Sequence, residues 1–226
     1  ISNINAYLRT NLVVLFKGYD IFHSHDINTV RFLFPFLRCR KIITVHDVGL
    51  DLSYLGKYDQ LIAISKSVQK DIKTRYDKKS LLVYNGISVS DIAVKKKETN
   101  TVEEISIVQV GRVTFEKKRQ DLTLEAFQQW IKFYPCLSLT FVGDGNDAKR
   151  LSELILTKGL AANVNIVPKA SRAWIYRNLK NFNLLVLPSS VEGFGLALIE
   201  GMAASLCVLA SNVNGPLEIV ETEING

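Results

Sequence analysis

The chain has 226 residues, of which 47% are hydrophobic, enough to form one large domain or two small ones. Its net charge of +6 comes from lysines and arginines spread along the chain, which favours anionic partners such as phosphates but does not indicate a nucleic-acid binder. No apolar run approaches the roughly 20 residues that span a bilayer, and no signal peptide opens the sequence, so we expect a cytoplasmic protein. The three cysteines, Cys39, Cys136 and Cys207, form no CxxC pair, so we expect reduced, buried thiols.

Short apolar runs rich in β-branched residues alternate along the chain with longer amphipathic segments. The predicted strands cover residues 42–47, 61–65, 81–86, 105–111, 137–143, 164–168, 184–190 and 208–211. Helical patterns occupy residues 65–77, 119–134, 147–159, 171–182 and 195–205. This alternation is typical of βαβ units with parallel sheets and predicts an α/β fold.

The densely charged segment 94–104 has no apolar period and separates two such series of strands and helices. We interpret it as a linker between a partial N-terminal Rossmann-like domain, residues 1–93, and a C-terminal Rossmann-like domain, residues 105–226, that is truncated at its end. Ligands of such domains bind at the C-terminal ends of the strands, so we expect a site in a cleft that the two parallel sheets face.

Two segments of the first domain suggest other interactions. His23 and His25 would lie on one side of a strand, which raises a metal-binding hypothesis, but no further ligands follow at a typical spacing and we predict no metal. The segment RFLFPFLRCRK, residues 31–41, is both basic and apolar. It suits a peripheral contact with an anionic membrane and equally an ordinary helix with a cationic rim.

The segment GDGNDA, residues 143–148, fits a GxGxxA pattern between a strand and a helix. That pattern suggests a nicotinamide-dependent oxidoreductase. The acidic residue expected about 20 positions later is missing, and the segment does not lie in the first βαβ unit. A tight turn beside the site is the interpretation that we favour.

The stretch EGFGLALIE places Glu192 before a predicted helix and Glu200 inside it. If the helix begins near Gly193, the free amides of Gly193, Phe194 and Gly195 form a phosphate site. The two carboxylates would stand on the order of 10 Å apart, which suits an extended ligand held at two points. The structural alternatives are that Glu192 complements the helix N-terminus and that Glu200 pairs with a nearby arginine or lysine.

The stretch VGRVTFEKKRQDL places Arg112 at the end of a predicted strand and Lys117 and Lys118 just before a helix. Cations fixed beside a departing diphosphate stabilise the charge that develops in the transition state. A solvated charge cluster is the alternative interpretation.

Together these segments resemble the retaining glycosyltransferases of GT-B fold, in particular family 4. EGFGLALIE is similar to the E-x7-E motif of that family, and other segments match in the same order: TVHD, LIAIS, LLVYNGI, VQVGRVTFEKKRQDLTLEAF, LTFVGDG, VNIVP and VNGPLEIVETEING. The resemblance implies transfer of a sugar, with retention, from a UDP- or GDP-linked donor to a glycan or lipid-linked hydroxyl acceptor. It further implies synthesis of a cell-envelope polysaccharide or lipopolysaccharide, without a cofactor or a metal.

The resemblance also implies roles for individual residues. The first glutamate of the motif contacts the donor sugar and the second binds the ribose hydroxyls, which assigns these roles to Glu192 and Glu200. His46 of TVHD is implied as a catalytic residue beside the donor sugar, together with Glu192. Arg112 and Lys117 are implied to hold the diphosphate. The family has glycine after this lysine, whereas Lys118 follows Lys117 here, so we favour Lys117 and keep Lys118 as the alternative.

Members of the family are longer at both ends, and this chain opens with Ile1 and closes with Gly226. We therefore expect a fragment that lacks both ends, binds a nucleotide weakly and transfers sugar poorly. The alternatives are a non-catalytic remnant or nucleotide-binding module with the same fold, and a sugar epimerase of the same architecture.

Overall fold

The computed structural model describes residues 2–33, 38–96 and 104–226. The chain forms two compact units, Ile1–Asn85 and Gly86–Gly226, each with its own parallel sheet. The first unit therefore ends before the predicted boundary at residue 93. The reason is that Ile92 is buried in the core of the second unit and the amide of Ala93 donates to the carbonyl of Tyr176 at 2.9 Å. Residues 97–103 of the predicted linker lie outside the described residues.

Among its described residues, the first unit contains four strands that pair in chain order. The strands are β1 Ile21–Ser24, β2 Arg40–Val45, β3 Gln60–Ala63 and β4 Leu81–Leu82. Two helices accompany them, α1 Ser2–Lys17 and α2 Lys66–Tyr76. The sequence analysis did not predict α1 or β1. Strand β1 buries only Ser24, so it lacks the apolar run by which the other strands are predicted.

Helix α2 shows why the sequence folds as it does in the first unit. The Oγ atom of Ser65 accepts a hydrogen bond from the amide of Val68 at 3.1 Å, which caps the first turn. Val68 and Ile72, one turn apart, are fully buried against the sheet side of the unit. Asp77 follows the last helical residue, Tyr76, and terminates the helix by adopting a left-handed conformation with φ 50°.

The second unit contains five strands and five helices among its described residues. The strands are β5 Ser106–Val110, β6 Ser138–Val142, β7 Val164–Val167, β8 Leu184–Leu187 and β9 Cys207–Ala210. The helices are α3 Phe115–Lys118, α4 Gln120–Trp130, α5 Ala148–Thr157, α6 Arg172–Asn178 and α7 Leu196–Ala203. Each strand and helix predicted for this unit is confirmed, and α3 is an additional short turn.

The sheet of the second unit has the strand order β7-β6-β5-β8-β9, with all pairs parallel. Strand β5 is the first strand of this unit in the chain, but it lies at the centre of the sheet. The chain therefore builds outward on one side, through β6 and β7, and then returns to build the other side, through β8 and β9. This is the order of Rossmann-type sheets, and the reversal opens a crevice at the C-terminal ends of β5 and β8.

Two apolar cores stabilise this sheet. One surrounds β5, β8 and β9 and includes Val108, Leu185 and Leu198, each fully buried. The other surrounds β6 and β7 and includes Phe141 and Leu151. Together they hold the ends of the strands, and hence the loops that follow them, in fixed positions.

The prediction of buried thiols is only partly right. Cys39, Cys136 and Cys207 are all free, and Cys39 is buried. Cys136 lies in the turn after α4 and Cys207 is the first residue of the edge strand β9, so both are exposed. Within the described ranges, no helix is both long and apolar enough to cross a membrane. Residues 34–37 of the segment predicted to contact a membrane lie outside the described residues.

Gly143→Ala is expected to destabilise the second unit. Gly143 has φ +142°, and a Cβ atom there would lie 2.0 Å from the carbonyl oxygen of Gly111. Overpacking against backbone cannot be relieved by a rotamer change, so the free energy of unfolding should fall by about 3 kcal/mol. Urea unfolding of the variant measures this loss. Gly86→Ala is the matched control, because a Cβ there meets no atom within 4 Å. Equal urea midpoints for the two variants would contradict the prediction.

Candidate functional site

The candidate site lies in the second unit, where the chain leaves β5 and β8. Two loops meet there, which we call the 111–119 loop and the 188–195 loop. The amide of Ser190 donates to the carbonyl of Lys117 at 2.9 Å, and the Ser190 hydroxyl donates to the carbonyl of Glu116. The two loops are therefore joined by hydrogen bonds at the reversal point of the sheet, the usual ligand position in such sheets.

An ion pair between Lys118 and Glu192 lies at this junction. The Nζ atom of Lys118 contacts Oε2 of Glu192, and the hydroxyl of the fully buried Ser189 donates to the same oxygen at 3.4 Å. The side chains are only 23% and 15% exposed, respectively. A cation and a carboxylate are thus held side by side and largely out of water, where charges interact more strongly than at the open surface.

Lys118, the alternative to Lys117, forms the ion pair with Glu192. Lys117 is exposed, whereas Lys118 reaches Glu192. Arg119, the next residue, has φ 52° and ψ 44°, a left-handed conformation that favours glycine. Lys117 as the lysine that holds the diphosphate stays a prediction; the left-handed residue of this loop is the arginine that follows Lys118.

Two buried glutamines fix the shape of the 111–119 loop. Gln109 donates through Nε2 to the carbonyl of Lys118 at 2.7 Å. Gln120 donates through Nε2 to the carbonyl of Arg112 at 3.0 Å and accepts from the amide of Thr114 at 3.2 Å. Both glutamines are 2% exposed. Neither glutamine was predicted as a site residue, although Gln109 interrupts the otherwise apolar strand SIVQV, and that interruption is a signal in the sequence.

The glycines of GDGNDA serve to pack this turn against the 111–119 loop. A Cβ on Gly145 would lie 2.2 Å from the carbonyl oxygen of Val113. Asp147 accepts a hydrogen bond from the amide of Phe115 at 2.8 Å, and the amide of Val113 donates to the carbonyl of Asp144 at 3.0 Å. Close backbone packing therefore accounts for these glycines without a dinucleotide, in line with the tight-turn interpretation.

The turn between β8 and α7 is packed on both sides. Helix α7 begins at Leu196, so the predicted start near Gly193 is wrong, because Gly195 has φ 106° and interrupts the helical path.

Residues 193–195, in the turn before α7, are buried. Gly215 lies so close that a Cβ on it would approach the Cα of Phe194 to 2.3 Å, and its amide donates to the carbonyl of Glu192 at 3.1 Å. The segment after β9 thus holds the turn that carries Glu192.

Glu200 lies inside α7 and is 8% exposed. Burial raises the pKa of its carboxyl group, while the nearby charge of Arg172 and a hydrogen bond from the hydroxyl of Tyr176 act in the opposite direction. Burial and the Glu200 carboxylate together raise the pKa of Tyr176. The arginine neighbour considered as a structural alternative is therefore present, but burial outweighs it, so the carboxylate is destabilised in this structure.

The remaining predicted residue, His46, lies in the first unit just after β2. Its Nε2 atom and Nδ1 of His25 are 2.7 Å apart, and the rings of His23 and His25 have centroids 4.8 Å apart. Partial removal from water lowers the pKa of His46, and the neighbouring His25 and His23 lower it further. In the described part of the chain, no group of three or more histidine, cysteine, aspartate or glutamate side chains is arranged to hold a metal ion.

Comparison with known proteins identifies the family. Residues 91–226 match the model of the family described as glycosyl transferases group 1. This match covers more than half of the chain, and the chain belongs to this family. The chain is 26% identical, over 99% of its length and 64% of the relative, to an uncharacterised glycosyltransferase of Methanocaldococcus jannaschii. It is 25% identical, over 74% of its length and 47% of the relative, to the lipopolysaccharide 1,6-galactosyltransferase of Salmonella typhimurium.

A solved structure shows the same fold. HepE of Anabaena, determined in complex with UDP and glucose, superimposes with a TM-score of 0.80 at 19% identity, over 96% of this chain and 66% of that chain. The α/β class with parallel sheets is therefore that of GT-B glycosyltransferases, as predicted. The chain spans less than two thirds of the length of these three relatives.

Lys118→Met should lower the free energy of unfolding by about 1–3 kcal/mol, because it leaves the partly buried Glu192 carboxylate without its cation. Lys132→Met, at an exposed position in the turn after α4, should change it by no more than about 0.5 kcal/mol. The measurement is urea unfolding at pH ~7. A double-mutant cycle with Glu192→Gln gives the coupling of the pair, and equal losses for the two lysine variants would contradict the assignment of Lys118.

Glu200→Gln should stabilise the second unit increasingly as the pH rises. The folded pKa of Glu200 lies above its ordinary value of 4.5, so the folded state holds a proton that the unfolded state releases. The wild type therefore loses stability as the pH rises through the raised pKa, and the glutamine variant lacks this loss. Thermal unfolding between pH ~4 and ~8 measures the difference. Glu153→Gln, with a side chain 61% exposed, is the control, and parallel pH curves for Glu200→Gln and wild type would contradict the prediction.

Proposed function

We propose that the chain is part of a retaining glycosyltransferase of family 4, and that it binds a nucleotide-diphosphate sugar at the C-terminal ends of β5 and β8. The observation that carries this proposal is the Lys118–Glu192 ion pair at the reversal point of the sheet. It places a cation for phosphate and a carboxylate for sugar hydroxyls within one junction of loops. A merely structural pair would not require that position.

The diphosphate would be held by the cations of the 111–119 loop. Arg112 lies exposed directly after β5, and Lys118 is fixed by the hydrogen bond from Gln109 to its carbonyl. When the bond between the sugar and the diphosphate breaks, negative charge accumulates on the leaving oxygen, and these cations stabilise it. The amides of residues 193–195 are the proposed supplement to these cations.

The two glutamates would hold the rest of the donor. Glu192 would accept hydrogen bonds from the sugar hydroxyls, and the ammonium group of Lys118 holds its carboxylate in place beside the phosphate. Glu200 would accept hydrogen bonds from the two ribose hydroxyls. A buried carboxylate is costly unless it is hydrogen-bonded, and its raised pKa reports that cost in this structure. Ribose hydroxyls would supply the missing partners, so ligand binding and relief of that cost would coincide.

The chemistry follows from this arrangement. The anomeric carbon loses its bond to the diphosphate oxygen and gains a bond to the acceptor oxygen on the same face. The acceptor proton passes to the departing phosphate oxygen. His46 is proposed to contact the donor sugar. No side chain need take the proton, so the contribution of the protein is positioning and electrostatic stabilisation.

The substrates are proposed from the relatives. The HepE complex contains UDP and glucose, which supports a UDP-linked donor. The lipopolysaccharide galactosyltransferase of Salmonella supports a glycan or lipid-linked acceptor in envelope synthesis. Cytoplasmic location and peripheral membrane contact through residues 31–41 remain predictions from the sequence. The three free thiols are compatible with a reducing compartment.

Thermal unfolding in the presence of UDP, GDP, ADP or NAD tests the donor site. A nucleotide at 100 times its dissociation constant should stabilise the chain by about 2.7 kcal/mol, visible as a rise in melting temperature. We expect this rise with UDP and its loss in Glu200→Ala. Glu153→Ala, at an exposed position on α5, should retain it.

Three other results would favour a different function for the chain. A rise with NAD alone would favour an oxidoreductase and contradict the proposal. UDP binding without turnover of any nucleotide sugar would favour a nucleotide-binding module. Interconversion of the donor sugar in the absence of an acceptor would favour an epimerase.

A further inference from the structure

The three histidines of the chain form a cluster at one edge of the first sheet. Strands β1 and β2 are parallel neighbours, with His23 opposite Ile42 and Ser24 opposite Ile43. His25 directly follows β1, and His46 directly follows β2. The topology alone therefore brings the two rings to the same edge, although 21 positions separate them in sequence.

The contact between His25 and His46 joins two ring nitrogens, Nδ1 and Nε2, at 2.7 Å. A hydrogen bond of this kind needs one nitrogen with a proton and one with a lone pair. If both rings are fully protonated, both nitrogens become donors and the bond is lost. The contact therefore requires one proton, shared between Nδ1 of His25 and Nε2 of His46. The ring that carries this proton determines whether the other nitrogen of neutral His46, Nδ1, is protonated.

The neighbours of the pair restrict its movement. The Nε2 atom of His23 is 2.8 Å from Oγ1 of Thr44, a buried residue of β2. His23 is thereby anchored, and its ring packs near that of His25 at a tilt of 32°. The rings of His25 and His46 have the same tilt, with centroids 5.0 Å apart. The rings of His23, His25 and His46 thus form a continuous series of contacts, and His23 at its start is bonded to the hydroxyl of the buried Thr44.

We propose that His25 is a positioning residue for His46: it shares one proton with His46 and thereby fixes the ring orientation and the tautomer of His46. The consequence for catalysis rests on the proposed function, because it assumes that His46 contacts the donor sugar. Fixing the tautomer decides whether Nδ1 of His46 donates or accepts a hydrogen bond towards that ligand.

The cavity beside the pair supports a role in ligand binding. His25 and His46 line a cavity of about 410 Å³, together with Asp26, Asn28 and Asp51. Oδ1 of Asp26 accepts from the amide of Asn28 at 2.8 Å, and Oδ1 of Asp51 accepts from the amide of Ser53 at 3.1 Å.

His23 contacts the ring of His25, and Asp26 and Asp51 line the cavity beside the pair. Protonation of both rings would break the bond and release the ring of His46.

Nitrogen-15 NMR of the histidine rings across a pH titration of the whole chain tests the proposal without any substrate. In the wild type, neutral His46 should populate one tautomer. His25→Leu should convert it to a mixture of both tautomers, since the partner at Nε2 is gone. His25→Asn keeps a hydrogen-bonding group near the position of Nδ1 and should preserve a single tautomer. His23→Gln, which keeps a group for Thr44, is the control and should leave the tautomer unchanged.

The same tautomer ratio for His46 in the wild type and in His25→Leu would overturn the proposal. His25 is exposed, so these variants should fold, and unchanged amide spectra for α2 verify this. In the complete enzyme, His25→Leu should lower kcat about fivefold, the effect of one hydrogen bond, with KM retained and with rescue by His25→Asn. If no nucleotide sugar is turned over, the proposed function fails, while the NMR result still decides the role of His25.

Discussion

The central position of β5 is the constraint on which the second unit depends. Because this strand is both the first of its unit and central in the sheet, the later strands add on either side of it, and the chain leaves β5 and β8 at one crevice. The ion pair between Lys118 and Glu192, the buried turn at residues 193–195 and the glycine contacts of the 143–148 turn all occur at that crevice. A different strand order would separate these residues even if every helix and strand were retained.

Much of this architecture could be predicted from the sequence, because buried parallel strands are apolar runs and the helices between them have clear periodicity. What could not be predicted depends on single backbone conformations or on contacts across the fold. The left-handed conformation of Arg119, next to Lys118, is one such feature, because the residue there is an arginine and not a glycine. The contact between His25 and His46 requires the pairing of β1 with β2, and β1 has too little apolar character to be predicted.

The two units handle ionisable groups differently. In the second unit, Lys118 and Glu192 neutralise each other, and Glu200 is buried at a cost that its tyrosine and arginine neighbours only partly offset. In the first unit, the ring of His25 contacts those of His23 and His46 at an exposed edge. The second unit therefore loses stability to a buried carboxylate, whereas the first contains a cluster whose contacts depend on which ring nitrogens carry protons.

The buried glutamines of the 111–119 loop affect how, under the proposed function, the affinity for a nucleotide should depend on salt and pH. Gln109 and Gln120 hold the backbone through amide hydrogen bonds, which carry no net charge and do not titrate. Neither ionic strength nor moderate changes in pH should deform the loop. Under the proposed function, dependence of nucleotide affinity on salt should therefore arise from screening between the ligand and the cationic side chains, while the shape of the loop stays constant.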